Sequence, residues 1–61
     1  MTESQAKDTA SKLNGEAYQS GGNIWLVLVD NADGTVTVHS DEGVMTYASR
    51  EAFHNGEEPI R

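Results

Sequence analysis

Six consecutive apolar residues, Ile24-Trp25-Leu26-Val27-Leu28-Val29, constrain this chain more than any other feature. The run is far too short to span a bilayer as a helix. Between turn-forming segments it reads as a β-strand, whose successive side chains point to opposite faces. Ile24, Leu26 and Leu28 then occupy one face, and Trp25, Val27 and Val29 the other. A sheet with a single covered face alternates apolar and polar residues, so both faces of this strand need a cover.

The flanking segments supply candidates. Residues 3 to 18 read as a helix, with Thr2 as N-cap and Ala6, Ala10, Leu13 and Ala17 along one face. Gly15 weakens its second half, and Asn14-Gly15 offers an alternative stop before Tyr18. Ser20-Gly21-Gly22-Asn23 breaks the chain ahead of the apolar strand. Asp30-Asn31-Ala32-Asp33-Gly34 follows it as a turn, with Gly34 suited to a left-handed backbone. A second strand, Thr35 to His39, alternates with Val36 and Val38 inward. Ser40-Asp41-Glu42-Gly43 turns into a third strand, Val44 to Ala48. Ser49 caps a short helical turn, Arg50 to His54, which Asn55-Gly56 ends. Glu57 to Arg61 form a tail.

The expected fold is therefore α+β: an N-terminal helix packed on a three-stranded antiparallel meander, then a short C-terminal helix, all in one domain over residues 1–61. In that meander the strand 24–29 lies at an edge. An edge strand with two apolar faces is a template for association, because edges are normally blunted by charge or proline. One short helix with Phe53 offers little to cover Trp25, Val27 and Val29, so these three are expected to dock another chain. Trp25 is the natural anchor. The occupant is either a different protein or a second copy, giving a homodimer through strand 24–29.

Ten acids against four bases give a net charge of −6. That balance argues against direct contact with nucleic-acid phosphates or an anionic membrane surface. It suits a partner with a basic patch, steered by Asp30 and Asp33 at one hairpin tip and by Asp41 and Glu42 at the other. The chain has no cysteine, which removes disulfides and thiolate metal sites and favours a reducing compartment. Met1 to Gln5 do not resemble a signal peptide, so the expected location is cytoplasmic.

Catalytic and cofactor motifs are weak. Asp30 to Thr35 resembles a calcium loop, but with Gly34 at its sixth position the first and twelfth fall on Val29 and Ser40, which cannot supply the carboxylates. His39, Asp41 and His54 include metal-ligand types without a ligand spacing. No serine sits in a nucleophile elbow, and His39, Ser40 and Asp41 are adjacent in sequence without forming a triad by that fact. Gly21-Gly22 precedes a strand and has no lysine near it, unlike a phosphate loop. The expectation is a non-enzymatic protein-interaction module with no cofactor, acting as an inhibitor or adaptor. A self-assembling homodimer with a structural role, or a small accessory subunit of a larger enzyme, is the alternative. In size, charge and the Ser4-to-Leu13 helix ahead of a meander, the chain resembles a type: the small, acidic, cysteine-free viral and mobile-element proteins that block host enzymes. The resemblance assigns no functional residue.

Overall fold

The computed structural model describes residues 1–61. Its elements run α1 (Glu3–Leu13), β1 (Glu16–Gly21), β2 (Ile24–Asp30), β3 (Val36–Ser40), β4 (Gly43–Tyr47) and α2 (Arg50–His54). The fold is α+β, with the four strands antiparallel in the order β1-β2-β3-β4. No helix is long and apolar enough to cross a membrane.

The helix α1 starts and stops by local chemistry. Thr2 accepts the Gln5 backbone N–H at 3.1 Å, and the Gln5 side chain accepts the Thr2 N–H at 2.9 Å. This reciprocal capping box satisfies two amides that the first helical turn leaves free. At the other end Asn14 takes a left-handed conformation, φ 56°. The helix therefore ends at Leu13 and does not continue to Tyr18.

The next segment is a strand, which corrects the expected three-stranded meander to four. β1 pairs with β2 through Ala17–Val27, Tyr18–Leu26 and Gln19–Trp25, with an irregularity between Gln19 and Gly21. The strand 24–29 is consequently not an edge. It is hydrogen-bonded to β1 on one side and, from Val27 to Asp30, to β3 on the other.

Both faces of β2 are covered, and the covers differ from expectation. Val27 packs under α1 against Ala6 and Ala10, with Trp25 and Val29 beside it. Two alanines present little bulk, which lets α1 lie close to the strand. On the opposite face Leu28, Val36 and Val38 form a second cluster, flanked by Tyr18, Leu26, Tyr47 and Phe53. Phe53 of α2 meets Tyr18 and Tyr47 edge to face at 5.9 and 5.2 Å. The two layers contain seven buried residues between them, a thin core that leaves little stability to spare.

Gly15 lets the chain turn from α1 into β1 against β2. A Cβ there would lie 2.6 Å from the Leu28 carbonyl oxygen and 2.9 Å from Val29 Cγ2. The first of these is backbone and cannot move aside cheaply. Gly15→Ala is therefore expected to destabilise the fold by about 1–3 kcal/mol, the usual cost of overpacking, less up to about 1 kcal/mol recovered from the stiffer unfolded chain. A denaturant midpoint for the variant equal to or above that of the native chain would disprove this packing constraint.

Candidate functional site

The sheet is not regular along its whole length. The β2–β3 ladder stops at the pair Val27–His39. Beyond it β2 continues alongside β1 as far as Ile24, and β3 continues alongside β4 as far as the Ser40–Gly43 pair. The two hairpins part at this end, and Ile24, Trp25 and Leu26 have no strand against their β3 side.

Each hairpin tip is fixed by its own hydrogen bonds. At the first, the Gln19 side chain donates to the Gly22 carbonyl at 2.5 Å, and Gly22 takes φ 53°. At the second, Ser40 Oγ accepts the Glu42 N–H at 3.2 Å and donates to the Gly43 carbonyl at 3.1 Å. The tips are thus short and locally tied, and the space between them is open.

That space is a cleft of about 560 Å³, within the range of small-ligand and peptide-side-chain sites. Ile24, Trp25 and Leu26 line one wall, and Val38, Asp41, Glu42 and Met45 the other. Tyr47 and Phe53 extend the apolar lining towards α2, and Met1, Thr2 and Gln5 border it beside α1. Ile24 is 60% exposed and Met45 41%. The lining includes two acids and no lysine, arginine or histidine. The Met1 ammonium pairs with Asp41, whereas Glu42 makes no ion pair.

The residues singled out from sequence divide between this cleft and the rest of the molecule. Trp25, Asp41 and Glu42 line it. Val27 is 0% exposed beneath α1, and Val29 is half-buried in the same layer, so the expected Trp25-Val27-Val29 docking face is largely internal. Trp25 bridges the two settings, packing at the α1 layer and lining the cleft. Ile24, Leu26, Met45, Tyr47 and Phe53 were not singled out as cleft residues. The signal for them was the placement of apolar residues at the starts of strands, Ile24 after Gly22-Asn23 and Met45 after Gly43-Val44.

Asp30 and Asp33 lie at the far end of the sheet, and both are occupied. Arg50 Nε donates to Asp30 at 2.7 Å, and its Nη1 to Glu16 at 3.3 Å, so one guanidinium ties α2 to the ends of β1 and β2. The Thr35 hydroxyl donates to Asp33 at 2.6 Å and the Thr35 N–H at 3.0 Å, closing the turn, while Arg61 approaches it at 3.8 Å. Asn31 completes the turn by donating to the hydroxyls of Thr35 and Thr37, each at 2.9 Å.

The histidines do not meet. His39 is on the α1 side of the sheet, opposite Val27, and His54 stacks on Tyr18 on the α2 side at 5.2 Å between ring centres. No three ligating side chains converge anywhere in the chain. Comparisons with protein-family models, curated proteins and solved structures give no match.

The two far-end carboxylates set a pH dependence. The hydrogen bond from Arg50 holds the Asp30 carboxyl below its ordinary range, and those from the Thr35 hydroxyl and N–H do the same for Asp33. A carboxyl whose folded pKa is depressed contributes stability above its unfolded value, about 3.9, and that contribution is lost as pH falls through the folded value. Stability is thus expected to fall as pH drops below about 4. Arg50→Met should bring the Asp30 pKa, followed by side-chain NMR, back towards the ordinary value and leave Asp33 unchanged. Equal movement of both carboxyls would contradict this assignment of partners.

Proposed function

We propose that this chain is a non-enzymatic protein-interaction module, an inhibitor or adaptor, which docks a partner's basic and apolar surface in the cleft between its parted hairpins. The observation that carries the reading is the cleft itself. Ile24 and Met45 stand exposed in a lining that includes Asp41 and Glu42 and no basic side chain. Exposed apolar surface rimmed by polar groups is characteristic of interaction sites. The apolar walls supply affinity through burial, and the acids bias the choice of partner.

Compared with the reading from sequence, the anchor moves from the Trp25-Val27-Val29 face to the Ile24–Met45 cleft, with Trp25 common to both. The acids divide likewise. Asp41 and Glu42 line the cleft, Asp41 with the Met1 ammonium as its partner and Glu42 without one, whereas Asp30 and Asp33 are engaged by Arg50 and by Thr35 at the far end. Their charge still contributes to the overall field of a chain at −6.

Ile24→Lys tests the reading without cutting into the core, since Ile24 is mostly exposed. A partner captured stoichiometrically by the native chain should bind the variant at least ~10-fold more weakly, a loss of about 1.4 kcal/mol. The variant's circular dichroism and unfolding midpoint should stay unchanged. The native association rate should fall as ionic strength rises through the range where the Debye length shortens from about 30 to about 8 Å. A partner that binds native chain and Ile24→Lys equally well, with a salt-independent rate, would refute docking at this cleft.

A further inference from the structure

From the parting of the hairpins we infer that the cleft receives its partner as an extended peptide strand, added along β2 at Ile24 to Leu26, with apolar side chains alternating with lysine or arginine. The inference rests on the docking reading above and specifies the shape and chemistry of what docks.

Three observations carry it. First, the β2–β3 ladder ends at Val27–His39 while β2 itself continues as a strand to Ile24, paired with β1 across the irregularity between Gln19 and Gly21. A strand paired on one side alone presents its remaining N–H and C=O groups to whatever lies beside it. An extended peptide satisfies these groups by continuing the ladder, whereas a helix, whose backbone bonds are internal, does not. Second, the apolar lining belongs largely to one face of the sheet. Ile24 and Leu26 are alternate residues of β2, and Val38, Met45 and Tyr47 share their face through the pairs Leu28–Val38, Val38–Met45 and Val36–Tyr47. A strand added here puts every second side chain onto this surface. Third, the charge in the lining is acidic. Glu42 lacks an ion-pair partner, and Asp41 pairs with the Met1 ammonium. A lysine or arginine on the incoming strand complements Glu42, and an acidic strand is repelled.

The molecule already accepts an extended segment at another edge. Thr46 of β4 donates to the Arg61 carbonyl at 2.7 Å and accepts the Ile60 N–H at 2.7 Å, so the tail lies along β4. That edge is occupied by the chain's own residues, whereas the β2 side of the cleft is not.

The probes are blocked heptapeptides titrated against the full chain, with the emission of Trp25, its one tryptophan, as the signal. The first alternates lysine and valine. Two more carry the same side chains with backbone N-methyl groups along one edge or the other, which removes donors from that edge at constant charge and with the same number of added methyls in each. The fourth is a helix-forming peptide of equal charge. The expected result is that the alternating peptide binds, and that one N-methyl pattern weakens it at least tenfold. Amide exchange should slow within residues 24–26, and Ile24→Lys should weaken binding at least tenfold. If the helical peptide binds as well as the extended one, or neither N-methyl pattern matters, strand addition is overturned while docking in the cleft stands. If no peptide binds, both fall.

Discussion

Val27 and Leu28 stand back to back on β2, and neither retains any exposure to water. The rest of the structure follows from keeping both dry. A single strand cannot bury two opposite apolar faces unless a layer lies on each side of it and a strand along each edge. The chain provides both layers in 61 residues by making each very thin. Two alanines of α1 press on Val27, and Val36, Val38 and the ring of Phe53 enclose Leu28. Gly15 permits the close approach on one side, and the Arg50 guanidinium clamps α2 on the other, reaching both Asp30 and Glu16.

Thin covers have limited reach. α1 lies over β1 and β2, leaving Val44 of β4 59% exposed on the same side of the sheet. α2 is five residues long and sits near the end of β4, and its Phe53 ring reaches across the sheet to both Tyr47 and Tyr18. At the opposite end, where Ile24 and Met45 emerge, the two helices contribute only Gln5 and Phe53 to the lining. The hairpins also part there, because the backbone pairing between β2 and β3 ends before either strand does. The cleft is therefore what remains after a short chain has covered its central strand, and this explains why it is apolar within and bounded by polar hairpin tips.

Much of this was legible in the residues. Thr2 and Ser49 as caps, Asn14-Gly15 as a helix stop, and Gly34 as a left-handed turn position all rest on local chemistry, and the backbone agrees at each. β1 was not legible by the same means. Glu16-Ala17-Tyr18-Gln19-Ser20-Gly21 has little β-propensity, and Ala17 also continues the helical spacing of Ala6 and Ala10. Its strand conformation comes from tertiary demand, since β2 needs a neighbour on its second edge. The paradox of a doubly apolar edge strand was itself the signal that the strand is central. Reading it as an interface assigned Val27 and Val29 to a partner when α1 was available to cover them. The cleft was still less legible, because the point at which a ladder ends depends on twist and on hairpin geometry more than on side-chain pattern.

The same economy connects stability to binding. A domain with seven buried residues has little reserve, and the apolar side chains it leaves in the cleft are stabilising only when something covers them. Anything that binds the folded form alone shifts the folding equilibrium by mass action, by about 2.7 kcal/mol when present at about 100 times its dissociation constant. For a chain of this size that is a large share of the stability to be expected of it, since a core this small rarely supplies more than about 3–5 kcal/mol. An occupant that extends the ladder beyond Val27–His39 would act where the two hairpins share no backbone pairing and meet only through the side chains that line the cleft. On this view the open end of the sheet is the place where this small fold can be completed from outside, and recognition and stabilisation are a single event.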